Sequence, residues 1–172
     1  MSPRVVLVGL PGAGKSAVGA ALAARLGVAF ADSDQLVTQQ TGRSVSEIFS
    51  HQGEPAFRQL EADMIAAALD GFDGVLALGG GAVTSESVRQ DLLASGVPVV
   101  LLTAGQDALL SRLAAAEPRP LLAGDAPARL AELAAARTEL YAEVATVSLD
   151  TGGRSVAEVA AALHRQLVRQ PS

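Results

Sequence analysis

Short apolar runs and helical periodicities alternate along this chain from end to end. Val5-Val6-Leu7-Val8 is an uninterrupted apolar run, the pattern of a strand covered on both faces of a parallel sheet. Ala17, Val18, Ala21, Leu22 and Leu26 then recur at helical spacing, and Gly27 stops the helix. Val28-Ala29-Phe30-Ala31 reads as a second strand that closes on Asp32-Ser33-Asp34. Residues 35–40 are helical in pattern and Gly42 breaks it; Ser44 and Glu47 form a capping box for a short helix through Phe49. The next helix runs from Glu54 to about Leu69 and carries Phe57, Arg58, Glu61 and Ile65. Val75-Leu76-Ala77-Leu78 is the third strand, followed at once by Gly79-Gly80-Gly81.

The second half repeats the alternation. A helix is expected over 85–94, a fourth strand over 97–102 and a helix over 107–115. Residues 116–127 hold Pro118, Pro120, Gly124 and Pro127, and read as a loop that also carries Arg119. A helix resumes at Pro127 or Ala128 and runs to Tyr141; a fifth strand spans 145–149, and an amphipathic helix over 156–168 closes the chain. Strands alternating with helices predict the α/β class, with a parallel sheet covered on both faces. No internal repeat or interdomain linker is visible, so residues 1–172 are expected to form one domain.

Composition narrows the classes without choosing among them. The chain has 172 residues, 49% apolar, and no Cys, which excludes disulfides and thiolate metal sites. Its net charge of −5 argues against a nucleic-acid partner. The first residues lead straight into a strand without a signal-peptide pattern. No apolar run approaches the roughly 20 residues of a membrane span. The expectation is a cytoplasmic protein that binds neither nucleic acid nor membrane, with a monomer as the default.

Charge placement is more telling than charge number. Lys and Arg total 13, yet the only Lys is Lys15. It stands in Gly9-Leu10-Pro11-Gly12-Ala13-Gly14-Lys15-Ser16, a G-x-x-x-x-G-K-[ST] loop between a strand and a helix. Lys offers a compact ammonium on a slim stem, suited to reach β- and γ-phosphates where an Arg fork is too wide. Glycines let backbone N–H groups turn toward an anion, and Ser16 offers a hydroxyl to Mg²⁺. Asp32 and Asp34 close the second strand at the sheet edge where ligands of parallel sheets bind. Read as an extended segment, the two carboxylates point the same way. One is suited to metal-bound water and the other to a substrate hydroxyl; the alternative is that Ser33 or Asp34 simply caps the next helix. Gly79-Gly80-Gly81 is costly in backbone entropy for a mere turn and reads as a backbone site beside a ligand. Arg58, Arg119 and Arg137 stand out by position, although Arg residues are mostly exposed.

Taken together, these segments resemble the shikimate kinase family. The likeness rests on the loop at residues 9–16, Asp32-Ser33-Asp34, Phe57-Arg58-Gln59-Leu60-Glu61, Gly79-Gly80-Gly81-Ala82-Val83, Arg119-Pro120-Leu121-Leu122, and Arg137 with Tyr141 one turn later. The resemblance implies a three-layer α/β/α sandwich of the nucleoside-monophosphate-kinase type, with a five-stranded parallel sheet in the order 2-3-1-4-5. It implies phosphoryl transfer from ATP to the 3-hydroxyl of shikimate, with Mg²⁺. It also implies a substrate-binding helical segment at about 33–61 and a lid at about 114–127. By the same resemblance, Gly12, Ala13, Gly14, Lys15, Ser16 and Ala17 cradle the ATP phosphates, and Ser16 and Asp32 serve the metal. Asp34 holds the reacting hydroxyl. Arg58 and Arg137 grip the shikimate carboxylate beside Gly79, Gly80 and Gly81. Arg119 closes over the γ-phosphate, and Arg112 and Arg154 flank adenine. Lys15, Asp34 and Arg119 are thus the expected catalytic residues. Ala17 stands where the family usually has Thr or Ser, which removes one expected hydrogen bond to the α-phosphate.

Three rivals share parts of this pattern. A gluconate kinase would share the loop and lid without the paired Asp, triple glycine and Arg pair. A nucleotide-binding regulator would need no acid-binding clamp. A nucleic-acid ATPase fits poorly with the acidic balance.

Overall fold

The computed structural model describes residues 1–115 and 124–169. Five strands, β1 Val5–Val8, β2 Ala29–Asp32, β3 Gly74–Ala77, β4 Val99–Thr103 and β5 Val147–Asp150, form one sheet in the order β2-β3-β1-β4-β5. Every pairing is parallel; Val6, for example, lies opposite Leu76 on one side and Val99 on the other. This is the expected strand order. The strands nearest the middle are buried along their whole length, which is why they are uniformly apolar.

Alternation along each strand divides the core into two layers. Val6, Val8, Leu76, Leu78 and Val99 face helices α4 (Glu54–Gly71), α5 (Glu86–Ser95) and the C-terminal part of α7 (Ala126–Val144). Val5, Leu7, Val75, Ala77, Val100 and Leu102 face α1 (Lys15–Leu26), α6 (Gln106–Ala114) and α8 (Val156–Arg169). The result is a three-layer α/β/α sandwich. Helices α2 (Ser33–Thr41) and α3 (Val45–Gln52) pack against α4 over a small core of their own, Val37, Ile48 and Phe57. Ser44 caps α3 by accepting from the Glu47 N–H, as its sequence foretold.

Several element boundaries shift from those read in the sequence, and two of the helix starts have a visible cause. Helix α2 starts at Ser33 because the Asp32 carboxylate accepts from the Asp34 N–H at 2.9 Å and turns the chain into a helix at once. Asp34 is therefore helical, and the extended geometry expected for the Asp32–Asp34 pair does not form. Helix α7 also begins one residue earlier than expected, at Ala126, under the Asp125 cap. Arg119 and residues 116–123 of the expected lid lie outside the described residues.

Candidate active site

The site lies along the carboxyl edge of the sheet and is built by three chain segments. The first is the turn after β1. Gly12 and Gly14 sit at φ 85° and 98°, which a side chain would strain. Gly14 is the N-cap of α1, whose first turn holds no acidic residue. The positive end of that helix is therefore left to an anionic ligand. Lys15 Nζ donates to the carbonyls of Gly9 at 2.7 Å and Leu10 at 3.0 Å, so the ammonium lies over the loop.

The second segment is the β2–α2 junction. Ser16 Oγ donates to Asp32 Oδ2 at 2.8 Å while Asp32 Oδ1 caps α2. A hydroxyl that donates to a carboxylate keeps its lone pairs for a cation. The pair offers only hard oxygen donors, and no cluster of three or more His, Cys, Asp or Glu is found among the described residues. That donor set suits Mg²⁺, which binds few protein groups and keeps water and phosphate as its other ligands. Ser33, fully buried, accepts from the Gly79 N–H at 2.8 Å and so ties this junction to the third segment.

The third segment is the triple glycine after β3. Its carbonyls are all tied back into the protein: Gly79 to the Ala82 N–H, Gly80 to the Tyr141 hydroxyl at 2.5 Å, and Gly81 to Thr84. The missing side chains make room for charged groups. A Cβ at Gly79 would stand 2.6 Å from both Asp34 Oδ1 and Glu61 Oε2. At Gly81 it would collide with the Arg58 guanidinium and come within 2.9 Å of Arg137. At Gly80 it would press on Pro11 of the first segment, 3.0 Å away. Asp34, Arg58, Arg137 and the loop after β1 thus meet at one glycine turn.

Arg58 and Arg137 are drawn inward from different helices. Arg137 on α7 is 3% exposed, despite the usual preference of Arg for solvent. Arg58 on α4 donates to Glu61 Oε1 at 2.8 Å and pairs with Glu54 at 3.4 Å. Glu61 is fully buried. Burial pushes its carboxyl up to about 7; Arg58 opposes that shift, and the neighbouring Asp34 carboxylate adds to it. The same burial pushes the Tyr141 hydroxyl up to about 12, so it stays a neutral donor. In the sequence Glu61 stood out only as a member of its helix and of the Phe57–Glu61 segment, with no role of its own. The available signal was a carboxylate on the apolar stripe that joins Phe57, Glu61 and Ile65 at helical spacing.

Arg112 reaches the loop after β1 from α6. Arg112 donates to the Gly12 carbonyl at 3.0 Å and to both the hydroxyl and carbonyl of Thr151, at 3.0 and 3.2 Å. Arg154 is exposed in the turn that follows β5. Ala17 lies on the first turn of α1, next to Ser16. Asp34, Arg58 and Arg137 are therefore brought together, Ser16 meets Asp32, and Arg112 joins the far side of the loop.

Known proteins resemble this chain in sequence and in fold. The shikimate kinase family model matches residues 11–168. The chain belongs to the shikimate kinase family. A shikimate kinase of Mycobacterium bovis is 47% identical over 174 residues, covering 100% of this chain and 98% of its own length. The structure of shikimate kinase from Acinetobacter baumannii, in complex with shikimate, superposes with a TM-score of 0.91 at 33% identity, covering 98% of this chain and 93% of that one. A gluconokinase from Sinorhizobium meliloti superposes with a TM-score of 0.67 at 23% identity over 98% of this chain and 93% of that one, a likeness of fold alone.

Proposed function

We propose that the glycine turn binds the carboxylate of shikimate between Arg58 and Arg137 and presents its 3-hydroxyl to Asp34, facing ATP held by the loop at Gly12–Ala17. Family membership makes the chain a kinase of shikimate; the assignment of roles to its residues is our reading. The observation that carries it is the close packing of two Arg side chains and one Asp against Gly79–Gly81, beside Pro11 of the phosphate loop. A small carboxylic acid needs a cationic clamp, and two guanidinium groups supply one. Phosphoryl transfer is mostly a matter of positioning and charge stabilisation, and this site can supply both.

In this reading Asp34 accepts the hydroxyl hydrogen bond and takes its proton as the hydroxyl oxygen bonds to the γ-phosphorus of ATP, while the bond from that phosphorus to the β,γ-bridging oxygen breaks and its electron pair leaves with ADP. Glu61 holds the Arg58 fork in place and, in its neutral form, spares Asp34 a second negative charge. Lys15 follows the phosphoryl group with its ammonium. Ser16 and Asp32 would hold Mg²⁺, which offsets charge on the phosphate oxygens. Arg112 and Arg154 border the base, and Ala17 contributes its N–H to the phosphates. Arg119, outside the described residues, is assigned to the γ-phosphate as part of the lid at about 114–127. The reading extends to a cytoplasmic location and a monomeric state, which fractionation and sedimentation would test.

The test is Mg-ATP turnover offered shikimate and gluconate separately, with the product weighed by mass spectrometry. Shikimate plus one phosphoryl group is the expected product. Phosphorylation of gluconate alone would transfer the site to a different acid, and turnover of neither would refute the reading.

A further inference from the structure

The side of the phosphate loop that faces away from the glycine turn is anchored by a residue to which no role has been given. Thr151 directly follows β5, is 2% exposed, and comes from the opposite end of the chain. Its N–H donates to the Thr103 carbonyl at 2.7 Å, which fixes its backbone at the end of β4. Its hydroxyl lies 3.1 Å from the Ala13 carbonyl and 3.0 Å from the Thr103 carbonyl, and accepts from Arg112 at 3.0 Å. A hydroxyl has one proton to give. The Thr103 carbonyl already has the Thr151 N–H, so the Ala13 carbonyl gains most from that proton. The incoming Arg112 bond polarises the hydroxyl and strengthens its donation.

The consequence lies in the peptide joining Ala13 to Gly14. The described residues contain no cis peptide, and in a trans peptide the N–H points opposite to the carbonyl. Holding the Ala13 carbonyl against Thr151 therefore turns the Gly14 N–H away from Thr151. Gly14 has φ 98° and would otherwise be among the freest residues of the loop. Arg112 holds the adjoining Gly12 carbonyl in the same way. The two carbonyls are thus moored from behind by one connected group of hydrogen bonds.

We infer that Thr151 is a positioning residue for the nucleotide: its hydroxyl sets the Ala13–Gly14 peptide so that the Gly14 N–H faces the phosphates. Thr151 touches neither the reacting atoms nor the acid site. Its loss should weaken ATP and leave shikimate alone. The inference rests on the proposed nucleotide site, and it deepens that reading by linking the turn after β5 to the phosphate loop.

The experiment compares Thr151→Val, which keeps the shape and removes the hydroxyl, with Thr151→Ser, which keeps the hydroxyl. Loss of a net hydrogen bond predicts a rise of roughly 3- to 10-fold in the ATP KM of Thr151→Val. Its kcat and shikimate KM should stay within about twofold, and Thr151→Ser should restore the ATP KM. Calorimetric titration with ADP should show a rise in Kd of the same size. A purely structural Thr151 would instead shift both KM values together with Tm, or would give a Val variant whose ATP KM is normal. Either result overturns the inference, as does a Ser variant no better than Val. If Thr151→Val does not fold, Thr151→Ala is put to the same comparison. Failure of the wild-type chain to phosphorylate shikimate would refute the underlying reading, whereas a working wild type matched by Thr151→Val refutes this inference alone.

Discussion

Replacing Glu61 by Gln should change the pH dependence of stability in a direction the structure dictates. Glu61 is fully buried with Arg58 on one oxygen and Asp34 facing the other. Its carboxyl is raised from 4.5 to about 7 in the folded chain, first by burial and then by the Asp34 charge, against the pull of Arg58. Between those two values the folded chain keeps a proton that the unfolded chain releases. Stability from this group is therefore complete below about pH 4.5 and is lost as pH rises through about 7. A rise from 4.5 to about 7 corresponds to about 3 kcal/mol. Gln has the shape of the neutral acid and offers an N–H where Glu61 would offer its proton, but it does not titrate. The gap between Glu61→Gln and wild type should thus move by about 3 kcal/mol in favour of Gln between pH 4 and pH 8. In a chain of this size that is roughly 6–12 °C in Tm. Urea unfolding of both proteins across that range reads the gap directly. Parallel stability curves from pH 4 to pH 8 would refute the reasoning, because the buried carboxyl would then titrate as an ordinary one.

The catalytic assignments make separate demands. An amine-reactive reagent should abolish activity by modifying Lys15, the only Lys in the chain, and ATP should protect; full activity after complete modification would contradict its role. Arg58→Ala should raise the shikimate KM by roughly 10- to 100-fold, the range for a lost charge-assisted hydrogen bond. The ATP KM should move far less, and equal rises in both would defeat the clamp. Asp34→Asn should lower kcat by roughly 10²- to 10⁴-fold while the thermal transition stays cooperative. A near-normal rate would remove Asp34 from the reaction centre.

Much of this molecule was legible because its signals are local. Four of the five strands are almost entirely apolar, and the helices carry their own caps and glycine stops, so β1, α1 and α3 could be read from adjacent residues. The phosphate loop and triple glycine were legible for the same reason. Asp34 was harder. Whether Asp32 continues the strand or caps a helix depends on its side chain, which here closes on the Asp34 N–H and leaves its other oxygen to Ser16. The burial of Arg137 runs against the habit of its residue type, and follows from a glycine backbone supplied by a distant segment. Glu61 could have been found as a charge on an apolar stripe. Thr151 could not, since its bond to Ala13 spans 138 positions and one hydroxyl leaves no periodic trace.

Placement of the acid between Arg58 and Arg137 is the claim on which the assignment of the site depends. Calorimetric titration of the wild-type chain with shikimate and with its methyl ester tests it most directly, since the ester keeps the ring and hydroxyls but lacks the negative charge. Clear binding of the acid and loss of at least about tenfold for the ester are expected, with a smaller gap between acid and ester in Arg58→Ala, where Arg137 remains. Equal affinity of the wild type for acid and ester would contradict that placement.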